Sequence, residues 1–242
     1  MSDEPVIATG GDHYSLLFKV QQTWALSIKN IRLYFRKGPV LMFGLLFPFF
    51  IALSWALGRE ISTERLFIGI STMTIFFTAS AISPVILPWE TREKGLERQI
   101  TAPLSLAQIL WGIILASALY SLLIGFAIIL LISLVLGLFI SSFVNWIAFV
   151  LGCVLLALVG SIIGVLVSAP ATDQLPDIMT IATLIKFPLI FISGIFMPLN
   201  NLSPIAQAAA WCSPLTPFVE IVAECMGEST TLPIGVNIGI II

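Results

Sequence analysis

Five long apolar stretches, almost free of charge, decide what this chain can fold into. They cover residues 39–57, 66–89, 104–140, 143–169 and 178–197, and a shorter sixth covers 232–242. A bilayer core about 30 Å thick takes roughly 20 apolar residues in a helix. In lipid every backbone polar group must be satisfied inside the protein, so such runs fold as helices. Composition agrees: 58% of the residues are hydrophobic and 10% charged, against about 45–50% and about 25% in soluble domains. The expected fold is all-α and integral to the membrane, with six transmembrane helices. The run 104–140 is too long for one upright span and must tilt or extend past the bilayer. The run 232–242 rises only about 16 Å and reads as a last span cut short.

Net charge is −2, which offers no basic surface to nucleic acid. Cys153, Cys212 and Cys225 form no CxxC pair, and the single histidine is His13. No metal site and no His-based catalytic centre is expected. Cys153 reads as a small core residue, and Cys212 and Cys225 as free thiols or, if both face an oxidising side, as a pair. No apolar signal core occurs in the first 37 residues. Residues 1–12 are expected to be disordered and 13–242 to form one membrane domain.

Lys and Arg set the orientation. Lys19, Lys29, Arg32, Arg36 and Lys37 precede the first run, and Arg92, Lys94 and Arg98 lie between the second and third. On the opposite side only Arg59 and Arg65 occur. The positive-inside rule places the N-terminus and the 90–98 cluster in the cytoplasm, in a plasma (inner) membrane.

Residues 13–37 are too polar to span. Leu17, Val20, Trp24, Ile28, Ile31 and Phe35 recur at steps of three and four, so a helix is expected with one aromatic-rich face in the membrane interface. Two readings stand: an anchor, or a lever that a soluble partner pushes.

The densest charge lies in "ETREKGLERQITAPLS", residues 90–105. Glu90, Arg92, Glu93, Lys94, Glu97 and Arg98 crowd between two apolar runs. As one helix, Glu90, Glu93 and Glu97 share a face, Glu90 pairs with Lys94 at i, i+4, and Trp89, Leu96 and Ile100 lie opposite. Positive-inside residues on a solvated loop explain the Lys and Arg but not the three glutamates. A mixed-sign helix suits docking to another protein. Both readings stand on the residues alone.

This stretch resembles the cytoplasmic loop of the permeases of type-2 ATP-binding-cassette (ABC) exporters, through Glu93, Lys94, Gly95, Leu96, Glu97, Pro103, Leu104 and Ser105. A second segment, "SGIFMPLNNLSPIAQAAAWCSPLTPFVE", residues 193–220, resembles the same family through Ser193, Gly194, Phe196, Pro198, Leu199, Pro204, Pro214, Leu215, Thr216 and Glu220. Ser213 departs from it, standing where Asn is frequent. The resemblance implies that the helix around 90–100 couples to a separate ATPase subunit. It also implies that two permease chains frame the transport path in membrane lipid, as homodimer or heterodimer. Residues 199–228 would then form a re-entrant helical hairpin in the outer leaflet. No G-x-x-x-x-G-K-[ST] phosphate loop occurs in the 242 residues. The expected cofactors, ATP and Mg, belong to that partner, and no catalytic residue is expected here.

Lys186 is the one charge well inside an apolar run. Such a charge either snorkels to the interface or faces a cavity. In the second case it favours a substrate with an acidic head group. Phe47, Phe76 and Phe77 are candidate substrate-path aromatics, and lipid-facing packing explains them equally. Glu220 and Glu224 line an exit vestibule or are simply solvated. Other classes fit worse. A membrane-embedded enzyme needs clustered polar groups at one depth, yet Asp173 and Asp177 lie far from any histidine in the sequence. An ion-coupled carrier needs acids inside spans, and the apolar runs hold none.

Overall fold

The computed structural model describes residues 16–34, 42, 46, 50–51, 54, 61–92, 94–102, 104–138, 140, 142–169 and 175–241. The run 39–57 with Phe47, the N-terminal residues 1–12, Glu93 and Pro103 lie essentially outside these, as do the side chains of Leu96, Arg98 and Ile100. The described residues are helical, with no strand among them. In chain order the helices are α1 Leu16–Tyr34, α2 Thr63–Arg92, α3 Gly95–Ile100, α4 Leu106–Leu136, α5 Phe143–Val167 and α6 Leu175–Ile192. A 3-10 turn at Leu199–Asn201 follows, then α7 Pro204–Ala210, α8 Thr216–Cys225 and α9 Ile234–Ile241. Among the described residues three helices, α2, α4 and α5, are long and apolar enough to cross a membrane.

α2 is the centre. It packs against α4, α5, α6 and α8, and nearly every residue from Arg65 to Glu90 is buried. A helix buried on all sides must satisfy its hydroxyls internally. Ser71, Thr72, Ser80 and Ser83 donate to the carbonyls of Phe67, Ile68, Phe76 and Ala79, four residues back. These bonds let polar side chains sit in the interior without partners on other helices.

Small residues set the helix spacing. In lipid, helix association comes from close packing rather than the hydrophobic effect. A Cβ at Gly160 would lie 3.1 Å from the Cβ of Ala79, and one at Gly164 would collide with the Ser83 hydroxyl. The two glycines, four apart, seat α5 against α2. Gly125 does the same for α4, where a Cβ would come 2.8 Å from Ile75. These contacts also fix direction. α5 runs parallel to α2, while α4 and α6 run antiparallel to it. The bundle therefore has one end carrying α3 and another carrying α7 and α8.

The long run 104–140 forms one helix of 31 residues, about 46 Å long, which exceeds a bilayer core. A capping box between Ser105 and Gln108 starts it, and Gly137, at φ 68°, ends it in the left-handed region. Its second half exposes Leu123, Leu130, Leu131, Leu134 and Val135.

α1 lies across the α3 end, against α4. The face it packs is small and polar: Ser27 and Asn30 are buried. Ser27 donates to the Gly112 carbonyl at 3.1 Å, and Gln108 donates to Gln22 at 2.9 Å. The expected apolar stripe faces elsewhere. Leu17, Val20 and Trp24 are exposed, a surface suited to the lipid interface.

Candidate functional site

At the α3 end, α2 does not continue into the next helix. Lys94 has φ 57° and ψ 19°, the one non-glycine in the left-handed region among the described residues. α2 stops at Arg92 and α3 restarts at Gly95. Glycine at position 95 leaves room for the Glu90 carboxylate, which a Cβ there would have to displace. Glu90 is 5% exposed. Lys29 of α1 donates to both of its oxygens, at 2.9 and 3.0 Å, and Gln99 of α3 donates at 2.6 Å. One carboxylate thus ties α1, the end of α2 and α3 together.

This corrects the expected single helix over 90–100. The left-handed residue rotates the two segments relative to each other. Glu90 is turned inward onto Lys29, away from the face of Glu97, and the i, i+4 register toward Lys94 is interrupted at Lys94 itself. Lys94 and Glu97 are exposed. The solvent-facing part of the cluster is therefore the six-residue α3 and the turn before it.

At the opposite end, Gly194 takes φ 78° in the turn after α6. Arg65, in the first turn of α2, donates to the Gly194 carbonyl and pairs with Glu228 at 3.1 Å. Ser193 is buried, Phe196 is half-buried, and Pro198 leads into the 3-10 turn. Ser213 donates to the Leu189 carbonyl at 2.8 Å, and Thr216 to Ala210 at 2.5 Å. Pro214 and the fully buried Leu215 lead into α8.

α8 is the buried limb of this segment. Phe218 lies over Gly152 of α5, 3.0 Å from where a Cβ would stand, and the Cys225 thiol donates to Asn145 near the start of α5. The chain therefore dips down beside α5 and climbs back along it. The stretch 204–210 is α7, whose Ile205 is 85% exposed. α8 packs on α5, α2 and α9. The reason is composition: Phe218, Val219, Ile221 and Val222 give α8 the larger apolar surface.

Glu220 is 4% exposed and accepts from the Thr231 amide at 2.6 Å and its hydroxyl at 2.7 Å. It fastens the loop after α8 and is not a solvated acid. Glu224 has one buried carboxylate oxygen without a partner among the described residues. Cys212 is exposed, Cys225 is buried, and both are free thiols.

α6 joins the two ends. Ile178, Ala182, Lys186 and Ile190 form its buried row, each four residues from the last, and the buried Ser193 follows just past its end. Lys186 is 4% exposed, and no hydrogen bond or ion pair holds it among the described residues. The row that carries it faces α2, and neighbouring Phe187 meets Phe77, at the midpoint of α2, edge-on at 6.2 Å. Phe77 begins an aromatic ladder that the sequence reading missed. Phe187 stacks on Phe191 at 6.2 Å and Phe191 on Phe196 at 5.3 Å. The signal was there, since Phe187 and Phe191 stand four apart. Phe76 lies in the core, closely packed where Gly160 of α5 passes. A groove of about 610 Å³ runs along α6, lined by Met179, Thr180, Thr183, Leu184, Phe187 and Pro188.

The sequence profile of the ABC-2 type transporter family matches residues 21–226. Among curated proteins none matches the chain. The matched span runs from within α1 to Met226, the first residue after α8, so it takes in the Glu90 junction, the α6 row and the segment that dips beside α5. An all-helical chain with apolar helices of membrane length, matched to this family over most of its length, belongs to the ABC-2 type transporters, as the membrane-embedded permease of an ABC transporter.

Proposed function

We propose that this chain is the permease subunit of an ATP-driven exporter for a hydrophobic or amphipathic compound, such as a drug, a lipid or a lipid-linked glycan. The α3 end and the N-terminus face the cytoplasm of a plasma (inner) membrane, as the Lys and Arg distribution indicates. Residues 13–242 act as one domain with six spans, the run 39–57 and the short run 232–242 included. A second permease chain completes the path.

The Glu90 junction carries the reading. A separate ATPase holds ATP and Mg and closes when it binds them. α3, with Glu97 exposed and Lys94 beside it, is the part of this chain presented to that partner. Glu90 then passes the push in two directions. Through Gln99 and its own backbone it moves α2, the central helix against which α4, α5, α6 and α8 pack. Through Lys29 it moves α1, which turns the anchor reading of α1 into the lever reading. At the far end, the turn Ser193, Gly194, Phe196 and Pro198 and the α8 segment with Pro214, Leu215, Thr216 and Glu220 form the element that the motion of α2 opens. Arg65 at the first turn of α2 links the two.

Co-expression with the ATPase tests this. The chain should pull down the ATPase, and Glu93→Ala with Glu97→Ala should abolish the pull-down while leaving the permease folded. A chain that purifies without an ATPase and transports without ATP overturns the proposal.

A further inference from the structure

We infer that α1 holds an anionic phospholipid, with the head group on Arg32 and the acyl chains along Trp24. The inference concerns the membrane around the protein and does not depend on the compound transported. α1 carries Lys19, Lys29 and Arg32 and no acid, and no Asp or Glu occurs between residues 13 and 59. Lys29 is committed to Glu90, while Arg32 is exposed. Trp24, Ile28 and Arg32 follow one another at steps of four, so they lie on one row of the helix. That row is not the packed side, which Ser27 and Asn30 form. Trp24 is 51% exposed, and Leu17 and Val20, one turn before it, are exposed as well. A cation therefore stands at the end of an open apolar stripe.

The crossing of α1 over α4 fixes the depth of this stripe. Ser27 donates to the Gly112 carbonyl, and a Cβ at Gly112 would stand 2.9 Å from that of Leu26. The two helices thus touch in the second turn of α4, near one end of a span. Trp111, next to Gly112, is exposed, and so is Leu106 at the start of α4. Tryptophan gathers at the level of lipid head groups, where its ring is apolar and its N–H is wet. Two exposed tryptophans at one crossing put α1 at that level. The site is also held in place. Arg32 lies one turn beyond Lys29, whose bond to Glu90 fixes this end of α1 against α2 and α3. A basic helix at a membrane surface favours anionic lipid by about fivefold per cation. A zwitterionic lipid brings its own positive charge to Arg32, and an anionic glycerophospholipid does not.

The test places the full chain in phosphatidylcholine nanodiscs and titrates in a lipid with brominated acyl chains, which quench tryptophan on contact. The probes are brominated phosphatidylglycerol and brominated phosphatidylcholine with identical chains. The Trp24 component is the difference between wild type and Trp24→Phe. It should be half-quenched at about a fivefold lower fraction of the anionic lipid than of the zwitterionic one. Arg32→Gln should lower that ratio about fivefold, and Arg32→Lys should keep it. Trp146 is the control. It is exposed at the start of α5, at the other end of the bundle, and its component, from Trp146→Phe, should be quenched equally by both lipids. Equal quenching of Trp24 by the two lipids in wild type overturns the inference, and that arm needs no substitution at Arg32. A preference that survives Arg32→Gln overturns the assignment to Arg32. The same preference at Trp146 overturns it too, since the enrichment would then surround the whole protein. Quenching of Trp24 by neither lipid also overturns it, because a protein surface and not a lipid would cover α1.

Discussion

The Glu90 junction predicts an asymmetry that can be worked out in advance. The Lys29 side chain is 38% exposed and that of Glu90 is 6% exposed. Removing the charge on Glu90 by Glu90→Gln leaves a lysine that water can reach, and the amide retains an acceptor for Lys29 and Gln99. The expected loss of stability is about 1 kcal/mol, the worth of a partly exposed pair. Removing Lys29 by Lys29→Met withdraws the cation from a carboxylate that water scarcely reaches. Breaking a buried pair from that side costs roughly 3 kcal/mol. The lysine substitution should therefore be the more damaging, although lysine is the more exposed partner. Equilibrium unfolding in detergent measures both, and the double variant Lys29→Met/Glu90→Gln should lie closer to wild type than the sum of the two. ATPase stimulation by the complex should fall in the same order. Equal losses, a larger loss for Glu90→Gln, or strict additivity would refute the reasoning.

Further outcomes follow from single contacts. Gly164→Leu should cost about 1–3 kcal/mol by overpacking, since even a Cβ there collides with Ser83 and comes 2.9 Å from Pro84; Gly239→Ala, with open space around it, is the neutral control in the same unfolding assay. Glu220→Gln should lose about 1.5–3 kcal/mol, the range of charge-assisted bonds, and should speed amide exchange at Thr231, whose N–H the carboxylate accepts. Maleimide should label Cys212 within the folded protein and leave Cys153 and Cys225 untouched until unfolding. Burial, with Glu224 beside it, pushes the Cys225 thiol up to about 11, so its thiolate is scarce at neutral pH.

What the sequence made legible was whatever depends on local pattern. Apolar length separated α4, α5 and α6, while the run 104–140 overshot α4, whose ends are set by the Ser105–Gln108 box and Gly137. A helical wheel assumes a continuous helix, so it placed Glu90 and Glu97 on one face. Only the left-handed φ of Lys94 shows that they part. Long-range pairs left no local trace. Arg65 and Glu228 stand 163 residues apart, and Lys29 and Glu90 stand 61 apart, so neither ion pair follows from periodicity. The apolar stripe of α1 pointed to the membrane interface, and Leu17, Val20 and Trp24 are exposed, but nothing local showed that Ser27 would pack on Gly112. The sequence left Lys186 between snorkelling to the interface and facing a cavity. The packing of α6 on α2, which depends on other segments, turned it inward.

The most direct measurement of the central claim is a crosslink. A single cysteine at Glu97, on α3, should join the partner ATPase through a short bis-maleimide in intact membranes, with a yield that changes on adding ATP. A cysteine at Ser229, exposed at the other end of the bundle, should not. Crosslinking from position 229 with none from position 97 would contradict the account: the orientation and the role given to the Glu90 junction would both be wrong.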